Sequence, residues 1–151
     1  MRIARIIMAT PPDFRLILAS ASPRRRELLA VLGWPFEVRV SGIDETPKAD
    51  ESGIEYVQRV SREKAEASAR AATPNPALEL IIAADTEVVF EGEVFGKPGN
   101  AEQAAAMLKR LRGRTHEVIS AITVRNEATG DVRYDLCRSD VPMRDYTDED
   151  I

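Results

Sequence analysis

The sequence is poor in the residue types that build metal clusters, disulfides and base-stacking platforms. It holds one cysteine, Cys137, and one histidine, His116. A lone cysteine excludes an internal disulfide and offers no zinc pattern. A lone histidine leaves room for a Ser-His-Asp triad only if His116 is itself the base. Aromatic residues make up 5% of the chain and the formal net charge is −4. Both count against a nucleic-acid binder, which needs a broad basic surface and, for single strands, rings on which bases stack. No apolar run approaches the length of a membrane span. The opening "MRIARIIMATPPDF" lacks the apolar core and cleavage site of a signal peptide. It reads as an extension, residues 1–14, of a cytoplasmic protein.

What is present is ordinary for one globular domain: 151 residues, 44% hydrophobic and 30% charged. Leu16–Ala19 reads as a short buried strand. Ser22 is a good N-cap and Pro23 suits the first helical position, so a helix runs from there to about Leu32, before Gly33. Phe36–Val40 alternates like a strand. A polar, acidic loop follows. Ile54 to about Ala72 is the strongest helix, with Ile54, Val57, Val60, Lys64 and Ala67 on one face. Glu55/Arg59 and Glu66/Arg70 are spaced to pair on its outer side. "TPNPALE" is a connector. Leu80–Ala84 reads as a buried strand ending at Asp85, and Thr86–Phe90 pairs with Glu93–Phe95 around Glu91-Gly92. Asn100 caps a third helix that Gly113 ends. Two further strands lie around Glu117–Arg125 and Val132–Asp140. Thr147 and Asp150 have the spacing of a capping box, the start of a helix. Strands interleaved with helices and hairpins define an α/β fold with a mixed twisted sheet flanked by helices.

The chemistry starts at "LILASASPRRRELL", residues 16–29. A helix N-terminus already carries partial positive charge, so cations there are unfavourable unless an anion joins them. Arg24 and Arg25 are the candidates to meet one, with Arg26 solvated; Ser20 and Ser22 add hydroxyls beside the turn. A solvated basic turn accounts for the tripeptide alone equally well. Lys64 interrupts an apolar stripe and needs either a snorkelling route, the commoner outcome, or an anionic partner. Asp85, at the edge of an apolar strand, can bind a divalent cation, activate water, or simply cap a turn. Glu45, beside Asp44, could supply a second metal carboxylate or stand in a solvated loop. Lys97 in "GKP" can reach a phosphate. His116 is expected to be structural and Cys137 a small buried apolar residue. Together these residues describe a polyanion site with carboxylates nearby, suited to a nucleoside triphosphate and a divalent cation.

"LILASASPRRRELL", "GIDET", "YVQRVSREKA", "AADTEVVFEGEVFGKP", "AEQAAAMLKRLRGRTHEV" and "VPMRDYTDEDI" occur in the order found in Maf proteins. The chain resembles that family over nearly its whole length beyond about residue 15, and residues 15–151 are expected to form the Maf-like domain. The family consists of nucleoside triphosphate pyrophosphatases whose fold is similar to that of inosine-triphosphate pyrophosphatases. Arg24 after Ser22-Pro23, with Ala84-Asp85-Thr86 and "GRTHEV", resembles the branch acting on dTTP and UTP; the sister branch acting on 7-methyl-GTP typically has tryptophan at the position of Arg24. The resemblance implies that Asp85 is the proton acceptor, that Arg24 and Thr86 bear on substrate choice, and that Ser20, Arg25, Glu45, Lys64 and Lys97 complete the polar site. It implies attack of water on the α-phosphorus, with Mg²⁺ or Mn²⁺ held by Glu45 and Asp85, and a homodimer. No nucleic-acid or membrane partner is expected. Two departures stand out. Ala83 replaces a usual glycine, and family members continue beyond "DEDI" through an "AGAYGIQG" motif, so a C-terminally truncated form of a normal enzyme is expected. The rival expectations are a nucleotide-binding or septum-regulating protein of the same fold without hydrolysis, and a nucleic-acid module built on Arg24–Arg26.

Overall fold

The computed structural model describes residues 14–40, 42–71 and 79–151. The expected N-terminal extension and most of the "TPNPALE" connector lie outside the described residues. Within them, six strands and three helices follow in the order β1 (Arg15–Leu18), α1 (Pro23–Ala30), β2 (Phe36–Val38), α2 (Gly53–Arg70), β3 (Glu79–Phe90), β4 (Glu93–Val94), α3 (Ala101–Leu111), β5 (Thr115–Asn126) and β6 (Val132–Pro142). The strands form one sheet in the order β2-β1-β3-β5-β6, with β4 also on β3. β1 is parallel to β2 and β3, whereas β5 is antiparallel to both its neighbours, β3 and β6. The sheet is mixed, as the combination of crossovers and hairpin signals requires.

Strand period divides the sheet into two faces. Ile17, Ile81, Ala83 and Ala65 of α2 form one buried cluster, and Tyr56, Val57, Val60, Val89, Ile119 and Ala121 form another. Both lie between α2 and the sheet, so the odd-numbered residues of β3 face α2. The even-numbered ones face the other way, where Leu18, Ile82, Ala84 and Ile122 border the leucines of α1. Val57 and Val60 are fully buried, and each such side chain contributes about 1.5–3 kcal/mol. α2 opens with a complete capping box: Ser52 accepts from the Glu55 backbone N–H and Glu55 accepts from that of Ser52. That engagement removes the expected Glu55/Arg59 pair. Arg59 bonds instead to Glu51 (2.6 Å) and Glu63 (3.1 Å), while Glu66/Arg70 forms as expected at 3.5 Å.

Helix α1 is capped by Ser22, whose hydroxyl accepts from the Arg25 backbone N–H, and carries Pro23 in its first turn. It ends two residues before the sequence pattern suggested, and β2 is likewise shorter. The larger correction concerns β3. The expected break at Asp85 does not exist; one twelve-residue strand runs from Glu79 to Phe90. The polar Asp85-Thr86-Glu87 triplet interrupts an apolar run without interrupting the ladder, because β5 pairs with every position from Leu80 to Val89. Glu91 and Gly92 both have positive φ, at 53° and 81°, the geometry of a tight hairpin. Glu79 is buried at the start of β3 and takes a bidentate pair of bonds from Arg39, at 2.7 and 2.8 Å. Near the C-terminus, Thr147 and Asp150 make one of the two bonds of a capping box, Thr147 N–H to Asp150 Oδ2 at 3.0 Å, within a turn rather than a helix. Cys137 is exposed, not buried, because β6 is an edge strand whose side chains are almost all solvent-facing.

Candidate active site

The site lies where β1 stops and β3 continues. β1 pairs with β3 only as far as Ile82, and β4 takes up the same edge only at Val89. The Ile82 and Val88 carbonyls on that edge accept from Ala19 (2.8 Å) and Phe95 (2.9 Å). Ala84 and Thr86, between them, turn their backbone groups to the same edge, and no described strand pairs with it there. A gap in a parallel ladder at the carboxyl end of β1, opening onto a helix N-terminus, is a ready-made position for a polar ligand.

On the α2 side of this gap, Asp85 is 4% exposed. Its Oδ1 accepts from Lys64 Nζ at 2.8 Å, and the same ammonium lies 3.1 Å from Glu45 Oε2. Lys64 therefore resolves its inward placement with anionic partners; the snorkelling expectation is corrected. Asp85 Oδ2 is buried without a hydrogen-bond partner. A carboxylate oxygen left bare in a buried position is costly, so it points to a missing ligand. Glu45 is brought in by its loop: the Tyr56 hydroxyl donates to the Glu45 carbonyl at 2.8 Å, and Arg59 donates to the Thr46 carbonyl at 3.1 Å. Asp44, its neighbour in sequence, turns away to accept from the Thr46 backbone N–H at 2.9 Å, and its bonds to Thr46 lower its pKa.

Two further residues join this side without a flag in the sequence. Glu87 follows Asp85 by one strand period and shares its face. Burial raises its pKa, the Asp85 charge adds to the rise, and the Lys97 cation opposes it. Burial also pushes the Tyr56 phenol up to about 12, reinforced by the charges of Glu87, Asp85 and Glu45. The strand alternation could have disclosed Glu87. Nothing local could have disclosed Tyr56, which reads as core.

On the α1 side, Arg25 Nη1 donates to the Ser20 hydroxyl at 3.4 Å and Nη2 to the Thr86 hydroxyl at 3.3 Å. Ser20 is buried directly after β1 and also accepts from the Ser22 backbone N–H at 3.2 Å. Thr86 exchanges a hydrogen bond with Ser120 of β5 at 3.0 Å. Arg24 and Arg26 are exposed in the first turn of α1. The structure thus joins Ser20, Arg25 and Thr86 into one bonded group, and Glu45, Lys64 and Asp85 into another. Lys97 stands outside both, its charge felt by Glu87. His116 is buried at the start of β5, and its Nδ1 is without a hydrogen-bond partner. No group of three or more His, Cys, Asp and Glu side chains among the described residues is arranged to hold a metal by itself.

An α/β sheet of this order places the protein in a recognisable class. Among solved structures it is similar to a HAM1 protein from Coxiella burnetii, with a TM-score of 0.53 and 18% identity, over 85% of this chain and 73% of that one. That likeness speaks to the fold alone. Sequence comparison goes further: the profile of the Maf-like protein family matches residues 15–151, and the chain belongs to that family. A dTTP/UTP pyrophosphatase of Methylococcus capsulatus is 49% identical over 140 residues, covering 92% of this chain and 66% of the relative. The corresponding values for the dTTP/UTP pyrophosphatase of Syntrophus aciditrophicus are 47% over 137 residues, 91% and 65%. For that of Escherichia coli K12 they are 46% over 137 residues, 90% and 66%. The chain therefore spans just under two-thirds of the length of these relatives.

Proposed function

We propose that this protein hydrolyses dTTP and UTP to the monophosphate and pyrophosphate, removing them from the nucleotide pool. The observation that carries the proposal is the bare Oδ2 of Asp85, buried beside an ordered Lys64, at a gap bordered by Ser20, Arg25 and Thr86. The printed activity of the relatives supports the choice of substrate.

In this scheme a water oxygen forms a bond to the α-phosphorus, and the bond from that phosphorus to the bridging oxygen breaks. The electron pair leaves with pyrophosphate. Asp85 Oδ2 takes the water proton, while Lys64 fixes the carboxylate through Oδ1. Arg24, Arg25 and Lys97 meet the negative charge of the phosphates, and Ser20 contributes its hydroxyl proton, because its oxygen already accepts from Arg25 and Ser22.

A divalent cation, Mg²⁺ or Mn²⁺, belongs to the proposal. Two carboxylates gathered on one lysine suit a Mg²⁺ site completed by substrate phosphates rather than an all-protein cage. Glu45 and Asp85 would hold the ion, which supplies charge neutralisation at the phosphates. Cytoplasmic residence and a homodimer are part of the same proposal. No helix among the described residues is long and apolar enough to cross a membrane.

The test is pyrophosphate release from a panel of nucleoside triphosphates with Mg²⁺ or Mn²⁺. dTTP and UTP are expected to lead. Equal turnover of purine and pyrimidine triphosphates would remove the substrate assignment, and release of single phosphate would remove the reaction.

A further inference from the structure

The hydrolysis set out above gives Glu87 no task. It follows Asp85 by one strand period on β3, about 7 Å along the strand. β5 sets Ala121 opposite Asp85 and Ile119 opposite Glu87, and both of these β5 residues belong to the cluster packed under α2. The two carboxylates therefore share the α2 face. The edge of β3 beside them is the open one: β1 leaves it after Ile82, and Phe95 takes it up again at the Val88 carbonyl. Glu87 stands at the hairpin end of the gap and Asp85 at its middle.

Half-buried, Glu87 is the third carboxylate around one phenol. Burial, then the charges of Glu87, Asp85 and Glu45, raise the pKa of Tyr56, whose hydroxyl donates to the Glu45 carbonyl. Two lysines answer these three charges: Lys64 lies between Asp85 and Glu45, and the charge of Lys97 reaches Glu87. The bare, buried Oδ2 of Asp85 marks where a ligand arrives. A phosphate chain seated there meets the Glu87 carboxylate about one strand period away. Like charges at that distance in a partly buried site repel appreciably, and a divalent cation carried by the chain removes much of the repulsion.

We propose that Glu87 is a specificity-determining residue: its carboxylate disfavours a free polyphosphate anion and admits the same anion when a divalent cation accompanies it. This rests on the nucleotide reading above. Selection of this kind works by repulsion of the wrong form rather than by a new contact to the right one. A carboxylate that served only to hold Lys97 in place would leave the opposite mark. Its removal would loosen a phosphate-binding cation and weaken both forms of the ligand.

Isothermal titration with the non-hydrolysable α,β-methylene analogue of UTP, in EDTA and with saturating Mg²⁺, tests the role. Parent, Glu87→Gln, Glu87→Met and Glu87→Asp are compared, with near-ultraviolet circular dichroism as the check on folding. A mildly alkaline buffer keeps Glu87 ionised despite its raised pKa. The two neutral variants are expected to tighten the metal-free analogue about tenfold and the Mg²⁺-complexed one less than about twofold. Glu87→Asp, which keeps the charge, is expected to follow the parent. Unchanged or weakened binding of the metal-free analogue by the neutral variants overturns the inference. Equal tightening with and without Mg²⁺ does the same, as does a Glu87→Asp protein that behaves like the neutral ones. A parent protein that binds the analogue in neither condition fails before any substitution is made; it overturns the nucleotide reading and this inference with it.

Discussion

The two faces of the sheet are built differently. Helix α2 buries seven of its 18 residues against one face, whereas α1 buries none of its eight against the other. The packed face holds the carboxylates and their shared lysine; the open face holds Arg25 and the hydroxyls. The carboxylate that the proposed hydrolysis calls on, Asp85, is buried on the packed face. On the open face Thr86 is exposed and Arg25 half-buried, whereas Ser20 is buried. β3 connects the two, because adjacent residues of one strand, Asp85 and Thr86, point to opposite faces.

The comparison can be broken in order of expected effect. Asp85→Asn should lower pyrophosphate release about a thousandfold, the middle of the range for losing a general base. Triphosphate binding should persist in titration calorimetry; undiminished turnover would remove the base assignment. Lys64→Met leaves Asp85 buried without its cation, which should cost about 3 kcal/mol in urea unfolding. Arg25→Met, on the open face, should cost less than about 0.5 kcal/mol while weakening triphosphate binding. Similar stability losses for the two would erase the distinction between the faces. Val60→Ala, at a fully buried position, should cost about 2 kcal/mol. Leu28→Ala, at a position 66% exposed, should cost less than about 0.5 kcal/mol; unfolding midpoints test both.

A pH-dependent effect concerns the loop that delivers Glu45. The hydrogen bond from Arg59 holds the Glu51 carboxyl at about 2, against 4.5 for the unperturbed group. A depressed carboxyl pKa contributes stability that is present above the unfolded value and lost as pH falls through the folded one. Glu51→Gln should therefore cost about 1 kcal/mol at neutral pH. It should also remove part of the acid sensitivity between pH 4.5 and about 2. Parallel stability curves for parent and variant across that window would contradict the assigned pair.

Much of this architecture was legible in the residues. Ser22-Pro23 and Asn100 marked two helix starts, and Glu91-Gly92 marked the hairpin, because caps and tight turns depend on a few neighbouring residues. Long-range pairing was less accessible. Asp85 looked like the end of a strand because polarity breaks an apolar pattern in the same way that a boundary does; only the ladder with β5 shows continuity. Lys64 stands out in an apolar stripe, but its partners, Glu45 and Asp85, come from a loop and a strand about twenty residues away on either side. Ser120 carries no local signal at all. Its position opposite Thr86 is a matter of strand register, which no stretch of sequence near it specifies. Cys137 was misplaced because β6 has no neighbour on its outer edge among the described strands, so an apolar residue type there is not a buried one.

Hydrolysis of UTP in oxygen-labelled water, followed by mass spectrometry of both products, tests the central claim most directly. Attack at the α-phosphorus beside Asp85 predicts label in UMP and none in pyrophosphate. Label in pyrophosphate, or in free phosphate, would contradict it.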